Sequence, residues 1–241
     1  KGLSETSGRA RKLNNKCGNL TYGLFLEGGK NKFDTSNDFA SGTVHGKGDA
    51  NSFGGGFFAK QKNNSGMYVE GSLRVGRVNH DFEGIVAKQN AEYDAKSTYY
   101  GAHIGLGKLI ASGKGEWDVY GKLINTHMNG ATADVYAGSK LELDAMNSTR
   151  LRVGGRYNVN PAPKAVGYYA GLAYEYEFGG QADGKLQGFG LEAPTSKGST
   201  GILELGAKFQ PSENFGIDLG VEGHAGKRRG VGGNVNFKWN F

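Results

Sequence analysis

Apolar and polar residues alternate with a period of two along most of the chain, and the segment 166–178 shows this pattern clearly. One face of that segment is apolar and aromatic, with Val166, Tyr168, Ala170, Leu172, Tyr174, Tyr176 and Phe178. The other face carries Gly167, Tyr169, Gly171, Ala173, Glu175 and Glu177. Period-two alternation predicts a β-strand. The segment is longer than the five or six residues of a usual soluble strand and suits a strand that crosses a membrane at a tilt.

The same alternation predicts about twelve strands after residue 18, with no helix between them. Their predicted spans are 19–30, 51–62, 66–79, 97–110, 116–126, 139–146, 149–159, 166–179, 184–192, 200–210, 214–225 and 230–241. The sixth and ninth spans have the weakest pattern. Short polar connections are predicted at 61–65, 110–115, 147–148, 180–183 and 211–213. Longer ones are predicted at 31–50, 80–96, 127–138, 160–165 and 193–199. Short turns at one end and long loops at the other are typical of outer-membrane barrels.

The polar face of these strands carries many charges of both signs. The residues predicted to face inward include Glu70, Arg74, Lys122, Arg152, Arg156, Glu175, Glu204, Lys208, Asp218, Glu222 and Lys238. An unpaired ion is very costly to bury, so this face is a poor protein core and suits a wet or peptide-filled lumen. The apolar face then contacts lipid, and closing the sheet satisfies every backbone group. A soluble barrel or sandwich with an apolar core is the alternative, but it does not explain the long strands or the loop asymmetry.

Composition narrows the function. Glycine is abundant at 43 of 241 residues and proline is scarce at 4, which fits a glycine-rich β-protein and not a disordered chain. The net charge of +6 is dispersed, and the basic runs at 9–12 and 227–229 are interpreted as solvated surface, so no nucleic acid is expected. The single Cys17 excludes an internal disulfide and a cysteine-based metal site, and no cofactor is expected.

The last eight residues, NVNFKWNF, alternate strictly up to the terminal aromatic, with Val235, Phe237, Trp239 and Phe241 on one face. Together with the hairpin before it, the segment 216–241 resembles the last two strands of type V autotransporter translocator domains. The segments 51–58 and 148–157 are similar to that family as well. The resemblance covers about residues 19–241.

The resemblance implies a twelve-stranded, monomeric antiparallel barrel in the lipopolysaccharide-containing outer membrane of a Gram-negative bacterium, which exports an N-terminal passenger to the cell surface. It also implies that Phe237, Trp239 and Phe241 are the signal read by the barrel-assembly machinery. The expected domains are residues 1–18, a linker or a pore-threading segment, and residues 19–241, the barrel.

Within residues 1–18, several features stay open. The segment is either a helix in the lumen or a disordered leader. Arg9, Arg11 and Lys12 are expected to pair with lumen carboxylates such as Glu175 or Glu222. Adjacent asparagines cleave the chain in some autotransporters, so the pair Asn14 and Asn15 is either a cleavage site or part of a polar linker.

Two other functions remain open from the sequence. A stand-alone outer-membrane pore would also have a lumen of mixed charge. A barrel lipid hydrolase would need a nucleophile and a base, for which His127 with Ser139 or Ser199 is conceivable. The sequence has no Gly-x-Ser-x-Gly or His-Glu-x-x-His motif, and no catalytic residue is assigned.

Overall fold

The computed structural model describes residues 2–39, 42–86, 89–134, 140–159, 165–181, 183–186, 189–191, 195–212 and 214–239. Throughout these ranges the regular structure is β-strand. The strands are β1 (Gly2–Asn15), β2 (Gly18–Phe39), β3 (Gly42–Lys62), β4 (Met67–Val86), β5 (Gln89–Ser112), β6 (Gly115–Met128), β7 (Ala131–Asp134), β8 (Lys140–Leu143), β9 (Met146–Val159), β10 (Val166–Glu177), β11 (Gly184–Leu186), β12 (Phe189–Leu191), β13 (Gly198–Ser212), β14 (Phe215–Gly226) and β15 (Gly230–Trp239). No helix in the described ranges has the length and apolarity needed to cross a membrane.

Eleven of the strands form one antiparallel sheet in the order β1-β2-β3-β4-β5-β6-β9-β10-β13-β14-β15. Parts of β1, around Gly8, and of β15, around Phe237, line the same cavity of about 710 Å³. The two ends of the strand order therefore meet across this cavity, and the sheet closes into a barrel. The predicted all-β antiparallel barrel is confirmed.

The two faces of the sheet have the polarity expected of a barrel in lipid. In β10, Leu172 is 69% exposed on the outer face, whereas Glu175 is only 1% exposed on the inner face. Leu203 and Leu205 of β13 and Leu219 and Val221 of β14 are also exposed. Such an apolar outer surface would be a large patch against water and is required against a bilayer.

The first strand differs from the prediction. Residues Gly2–Asn15 do not form a helix but pair with β2 along their whole length, from Gly2 with Asn31 to Asn15 with Gly18. The structure thus has a strand where the sequence left a lumen helix and a disordered leader open. A strand beside β2 satisfies the backbone groups at that edge, whereas a helix would contain Gly8 and only a thin apolar stripe.

The two weakest predicted strands lie outside the main sheet. Residues 140–143, within the sixth span, are β8, and residues 184–191, within the ninth, contain β11 and β12. These three strands and β7 form a separate four-stranded sheet in the order β12-β11-β8-β7. The main sheet gains β1 and loses these two spans, which accounts for eleven strands instead of about twelve.

Two of the predicted long loops are hairpin extensions. The strands β2, β3, β4 and β5 contain 22, 21, 20 and 24 residues, whereas β14 contains 12. The extra residues belong to the segments 31–50 and 80–96, which are polar and were therefore predicted as loops. They extend four neighbouring strands beyond the rest of the barrel, at the end opposite the short turns at 63–66 and 113–114.

Candidate functional site

A group of paired charges on the inner face of β9 and β10 forms the most buried polar site, and we call it the Glu175 cluster. It contains Glu175, Glu177, Arg150, Arg152 and Arg228. Arg152 donates from Nε to Glu175 Oε2 at 2.8 Å, and Arg150 Nη1 lies 3.8 Å from Glu175 Oε1. Arg228 also donates to Glu175 Oε1 through Nη2. Three guanidinium groups thus surround one buried carboxylate.

The second carboxylate of the cluster ties it to the backbone. Ser148 donates from Oγ to Glu177 Oε2 at 2.6 Å, and the amides of Thr149 and Gly179 each donate to Oε1 at 2.9 Å. Arg150 Nε lies 3.7 Å from the same carboxylate. Charge-assisted bonds of this kind are strong and directional, so they fix the start of β9 against the end of β10.

A second group of charges lies on the inner faces of β3 to β6. Glu70 is 2.6 Å from Lys122 Nζ, 3.2 Å from Lys60 Nζ and 3.8 Å from His103 Nε2. Ser72 Oγ lies 2.6 Å from His103 Nδ1. The carboxylate therefore has partners on three other strands.

Tyrosines extend the network across the interior. Tyr99 donates to Glu27 at 2.6 Å, and Arg74 Nη1 lies 3.6 Å from the same glutamate. Tyr68 of β4 donates to Asp118 of β6 at 2.7 Å, which crosses the intervening β5.

Tyr169 of β10 lies across two glycines of the neighbouring strands. A Cβ atom at Gly206 or at Gly220 would overlap its ring or hydroxyl. The hydroxyl donates to Asp218 at 3.3 Å, and the Arg156 guanidinium lies 4.9 Å from the ring centroid. The two glycines therefore provide the space that lets the ring pack flat against the wall.

The remaining residues predicted to face inward lie near these groups. Arg156 Nη1 is 3.7 Å from Glu204, and Lys208 donates to Asn158 at 3.3 Å. Lys238 lines one cavity together with Lys208 and Asp218. Glu222 Oε1 is 2.8 Å from His224 Nε2.

Sequence reasoning missed the role of Arg228. The sequence predicts solvated surface for the run 227–229, and Lys227 and Arg229 are exposed, but the Arg228 side chain points inward to Glu175. The turn is held by Lys227 N, which donates to Ser199 O at 2.8 Å, and by Arg228 N, which donates to Thr200 Oγ1 at 3.2 Å. These bonds depend on the geometry of the turn, and the sequence pattern carries no signal for it. Arg228 therefore occupies the place beside Glu175 that Arg9 and Arg11 were expected to take.

Arg9 and Arg11 lie on the outer face. In an antiparallel sheet, directly opposed residues point to the same side. Arg9 pairs with Leu24, which is 67% exposed on the outer face, and Arg11 pairs with Tyr22. The outer face of β1 therefore carries two cations, Arg9 and Arg11, at the height where its neighbour β2 is apolar.

The predicted assembly signal lies at the exposed end of β15. Phe237 and Trp239 are 68% and 65% exposed, and their rings lie 6.3 and 4.9 Å from that of Phe215. Phe241 lies outside the described residues.

The asparagine pair lies at the end of β1. Asn14 pairs with Asn19, and Asn15 Oδ1 accepts a bond of 3.0 Å from Cys17 N within the turn to β2.

The residues considered for hydrolysis do not come together in the described part of the chain. The ring nitrogens of His127 lie 2.7 Å from Asn147 Oδ1 and 3.1 Å from Asn129 Oδ1. Ser199 Oγ lies 2.7 Å from the Tyr174 hydroxyl. Ser139 lies outside the described residues.

An antiparallel barrel that is apolar outside and charged inside defines an outer-membrane type of protein. Residues 7–222 match the family model described as Autotransporter beta-domain. The chain is 24% identical over 202 residues to the autotransporter adhesin/invasin TibA of Escherichia coli O78:H11. That alignment covers 81% of this chain and 20% of TibA, so the chain spans about one fifth of that relative's length.

Solved structures show the same fold. The chain aligns over its whole length with 82% of the transport unit of AIDA-I from Escherichia coli, with a TM-score of 0.72 and 16% identity. It aligns likewise with 80% of the translocator domain of NalP from Neisseria meningitidis, with a TM-score of 0.74 and 14% identity. It also aligns over its whole length with 98% of the β domain of BrkA from Bordetella, with a TM-score of 0.66 and 15% identity.

The chain belongs to the autotransporter β-domain family. It is an outer-membrane translocator barrel, and its function is the export of a passenger to the cell surface. The resemblance inferred from the C-terminal strands and the predicted outer-membrane location are confirmed.

Proposed function

We propose that the Glu175 cluster and the charges around Glu70 form the wall along which an N-terminal passenger moves and against which its connecting segment rests. The supporting observation is that buried carboxylates have cationic partners on the inner face, as Glu175 has in Arg150, Arg152 and Arg228. A lining in which most charges are already paired within the wall has few groups left to form ion pairs with a passing chain. It would let a polar chain pass without holding it tightly.

We further propose that residues 1–18 are this connecting segment and that they leave the barrel wall in the membrane. The outer face of β1 carries Arg9 and Arg11 at the height of the apolar belt. An arginine facing lipid near the middle of a bilayer costs about 2–4 kcal/mol. The same side chains would be hydrated in the lumen.

Cysteine labelling in isolated outer membranes tests this placement. The native Cys17 is exposed and is first replaced by serine. Arg9→Cys is then compared with Leu24→Cys, its direct partner in the sheet. We expect a water-soluble maleimide to label Arg9→Cys and not Leu24→Cys. Equal protection of both would mean that β1 stays in the wall and would overturn the proposal.

The exposed aromatic end of β15, with Phe237, Trp239 and the terminal Phe241, is proposed as the signal for the barrel-assembly machinery. Phe241→Ser should reduce the amount of heat-modifiable barrel in the outer membrane, and Asn240→Ser is the matched control. An undiminished barrel in Phe241→Ser would contradict this role.

Asn14 and Asn15 are proposed as part of the polar connection and not as a cleavage site. Cleavage would require the side chain of Asn14 to attack its own carbonyl, and Asn14 lies in the extended backbone of β1, where it pairs with Asn19. Mass analysis of the membrane-assembled protein should find no species that begins at Asn15, and such a species would overturn the assignment.

The domain is proposed to act in transport and not in catalysis. The ring nitrogens of His127 face asparagine oxygens, which provide no nucleophile. Purified barrel should show no phospholipase activity above that of His127→Ala. Activity that is lost in the variant would support an enzyme instead.

A further inference from the structure

The outer face of β2 to β5 changes from apolar to charged in ordered rows, at the end where these strands extend beyond the others. The last apolar row contains Leu26, Gly55, Val75 and Tyr100, which are paired across the four strands. Two residues further along, the next row contains Gly28, Phe53, Arg77 and Thr98. The row after that contains Lys30, Asn51, Asn79 and Lys96.

Three cations therefore lie just beyond the lipid-facing belt. Lys30, Arg77 and Lys96 are all exposed. Each two-residue step along a strand is about 6.6–6.8 Å, so the cations lie about 7–14 Å along the strands from the last apolar row. Because membrane strands tilt by about 45°, the cations lie about 5–10 Å beyond that row along the bilayer normal, which is the level of the headgroups.

Arg77 and Lys96 are close enough to bind one anion together. Arg77 is two residues from Asn79, which pairs directly with Lys96. Diagonal neighbours of this kind have Cα atoms about 7–8 Å apart. Long cationic side chains span that distance, and the arginine fork matches a phosphate in geometry.

A row of opposite sign limits the depth of the band. The next row contains Lys32, Asp49, Asp81 and Asp94, so three carboxylates oppose one another directly across β3, β4 and β5. Carboxylates repel a phosphate, so this row favours a phosphate at the level of the cations below it.

Other exposed cations at this end, Lys197, Lys227 and Arg229, lie in the connections before β13 and after β14 and not on the outer face of the strands. At the same end of β6, β9 and β13, the outward residues are His127, Asn147 and Ser199. The extended sheet of β2 to β5 therefore provides a local site and not a uniform ring.

We propose that Lys30, Arg77 and Lys96 form a docking band for the phosphorylated headgroup of the glycolipid in the outer leaflet. The proposal rests on the outer-membrane location of the barrel and on the orientation in which the long connections face the cell surface. The three cations lie at the level of the headgroups, where their charge favours a lipid that carries phosphate. The band continues directly from the apolar belt, so a ligand with acyl chains fits it better than a soluble anion does.

Native mass spectrometry of the folded barrel in detergent tests the band. The probes are lipid A that carries both phosphates, the same lipid after phosphatase treatment, and phosphatidylglycerol. We compare the wild type with the triple variant Lys30→Gln, Arg77→Gln, Lys96→Gln. The control is Lys108→Gln, which removes an exposed cation on the same outer face of β5, opposite Met67 near the other end.

The wild type should bind phosphorylated lipid A more tightly than the other two lipids. Each cation near an anionic surface contributes about a fivefold increase in affinity, so the triple variant should lose about a hundredfold. Lys108→Gln should bind as the wild type does. Asp81→Asn should bind equally well or more tightly.

Equal binding of the two lipid A forms, or an unchanged triple variant, would overturn the proposal. Equal binding of phosphatidylglycerol would overturn the choice of glycolipid. Heat-modifiable migration on gels shows whether each variant is folded. Arg77→Lys keeps the charge but loses the planar guanidinium fork, so its affinity for phosphorylated lipid A should fall between that of the wild type and that of the triple variant. The passenger function is scored separately by surface display, so its failure is distinguishable from failure of lipid binding.

Discussion

Replacing Glu175 by glutamine removes the carboxylate that three arginines share inside the barrel. Glu175 is 1% exposed, and it contacts Arg150, Arg152 and Arg228. The amide of the new glutamine can still accept a hydrogen bond, but it carries no charge. Glu177 is then the one carboxylate left in the cluster to balance the three arginines. Breaking a buried ion pair by removing one partner costs about 3–5 kcal/mol.

The measured effect should be a lower melting temperature of the folded barrel in detergent. For a domain of this size, each kcal/mol lowers the midpoint by about 2–4 °C, so we expect Glu175→Gln to melt about 6–20 °C below the wild type. Heat-modifiable migration on gels gives the midpoint. Far-UV circular dichroism provides a second readout.

Glu204→Gln is the matched control. Glu204 has an ion-pair partner in Arg156 at 3.7 Å, and its side chain is 14% exposed. This pair is a single long contact whose arginine is one-third exposed, so its loss should cost less than the loss of the three partners of Glu175, and the control should melt closer to the wild type. Equal midpoints for the two variants would refute the reasoning that the Glu175 cluster holds the wall together.

Two further variants test the wall and the turn. Gly206→Ala places a methyl group where Tyr169 lies and should slow barrel assembly, whereas Gly223→Ala meets no atom within 4 Å and should assemble normally. Equal assembly rates in pulse-chase experiments would contradict the close packing of the ring. Arg228→Gln removes one partner of Glu175 and should raise single-channel conductance in planar bilayers, with Lys227→Gln as the neighbouring control. Unchanged conductance in Arg228→Gln would mean that the turn does not narrow the lumen.

The transmembrane part of the fold could be predicted from the sequence because lipid and lumen impose opposite polarities on alternate residues. In β10, every residue from Val166 to Ala173 lies on the predicted face, since the exposed and buried positions alternate as the pattern requires. The polar extensions of β2 to β5 contact no lipid along most of their length, so they have no apolar alternation and were predicted as loops.

Other features depend on tertiary contacts that leave no periodic signal. The strand β1 has few apolar residues besides Leu3 and Leu13, and its pairing follows from the edge that β2 offers. The inward fold of Arg228 is set by backbone bonds of the turn to Ser199 and Thr200. The inner position of Glu175 was predicted, but its partners were not.

Surface display of a reporter tests whether this barrel exports an N-terminal passenger. A small folded epitope is fused upstream of Lys1, and intact cells are treated with an external protease and stained with an antibody. If the barrel exports an N-terminal passenger, the epitope is stained on intact cells and removed by the protease, while the barrel remains in the outer membrane. A correctly assembled barrel whose epitope stays protected in the periplasm would contradict the account.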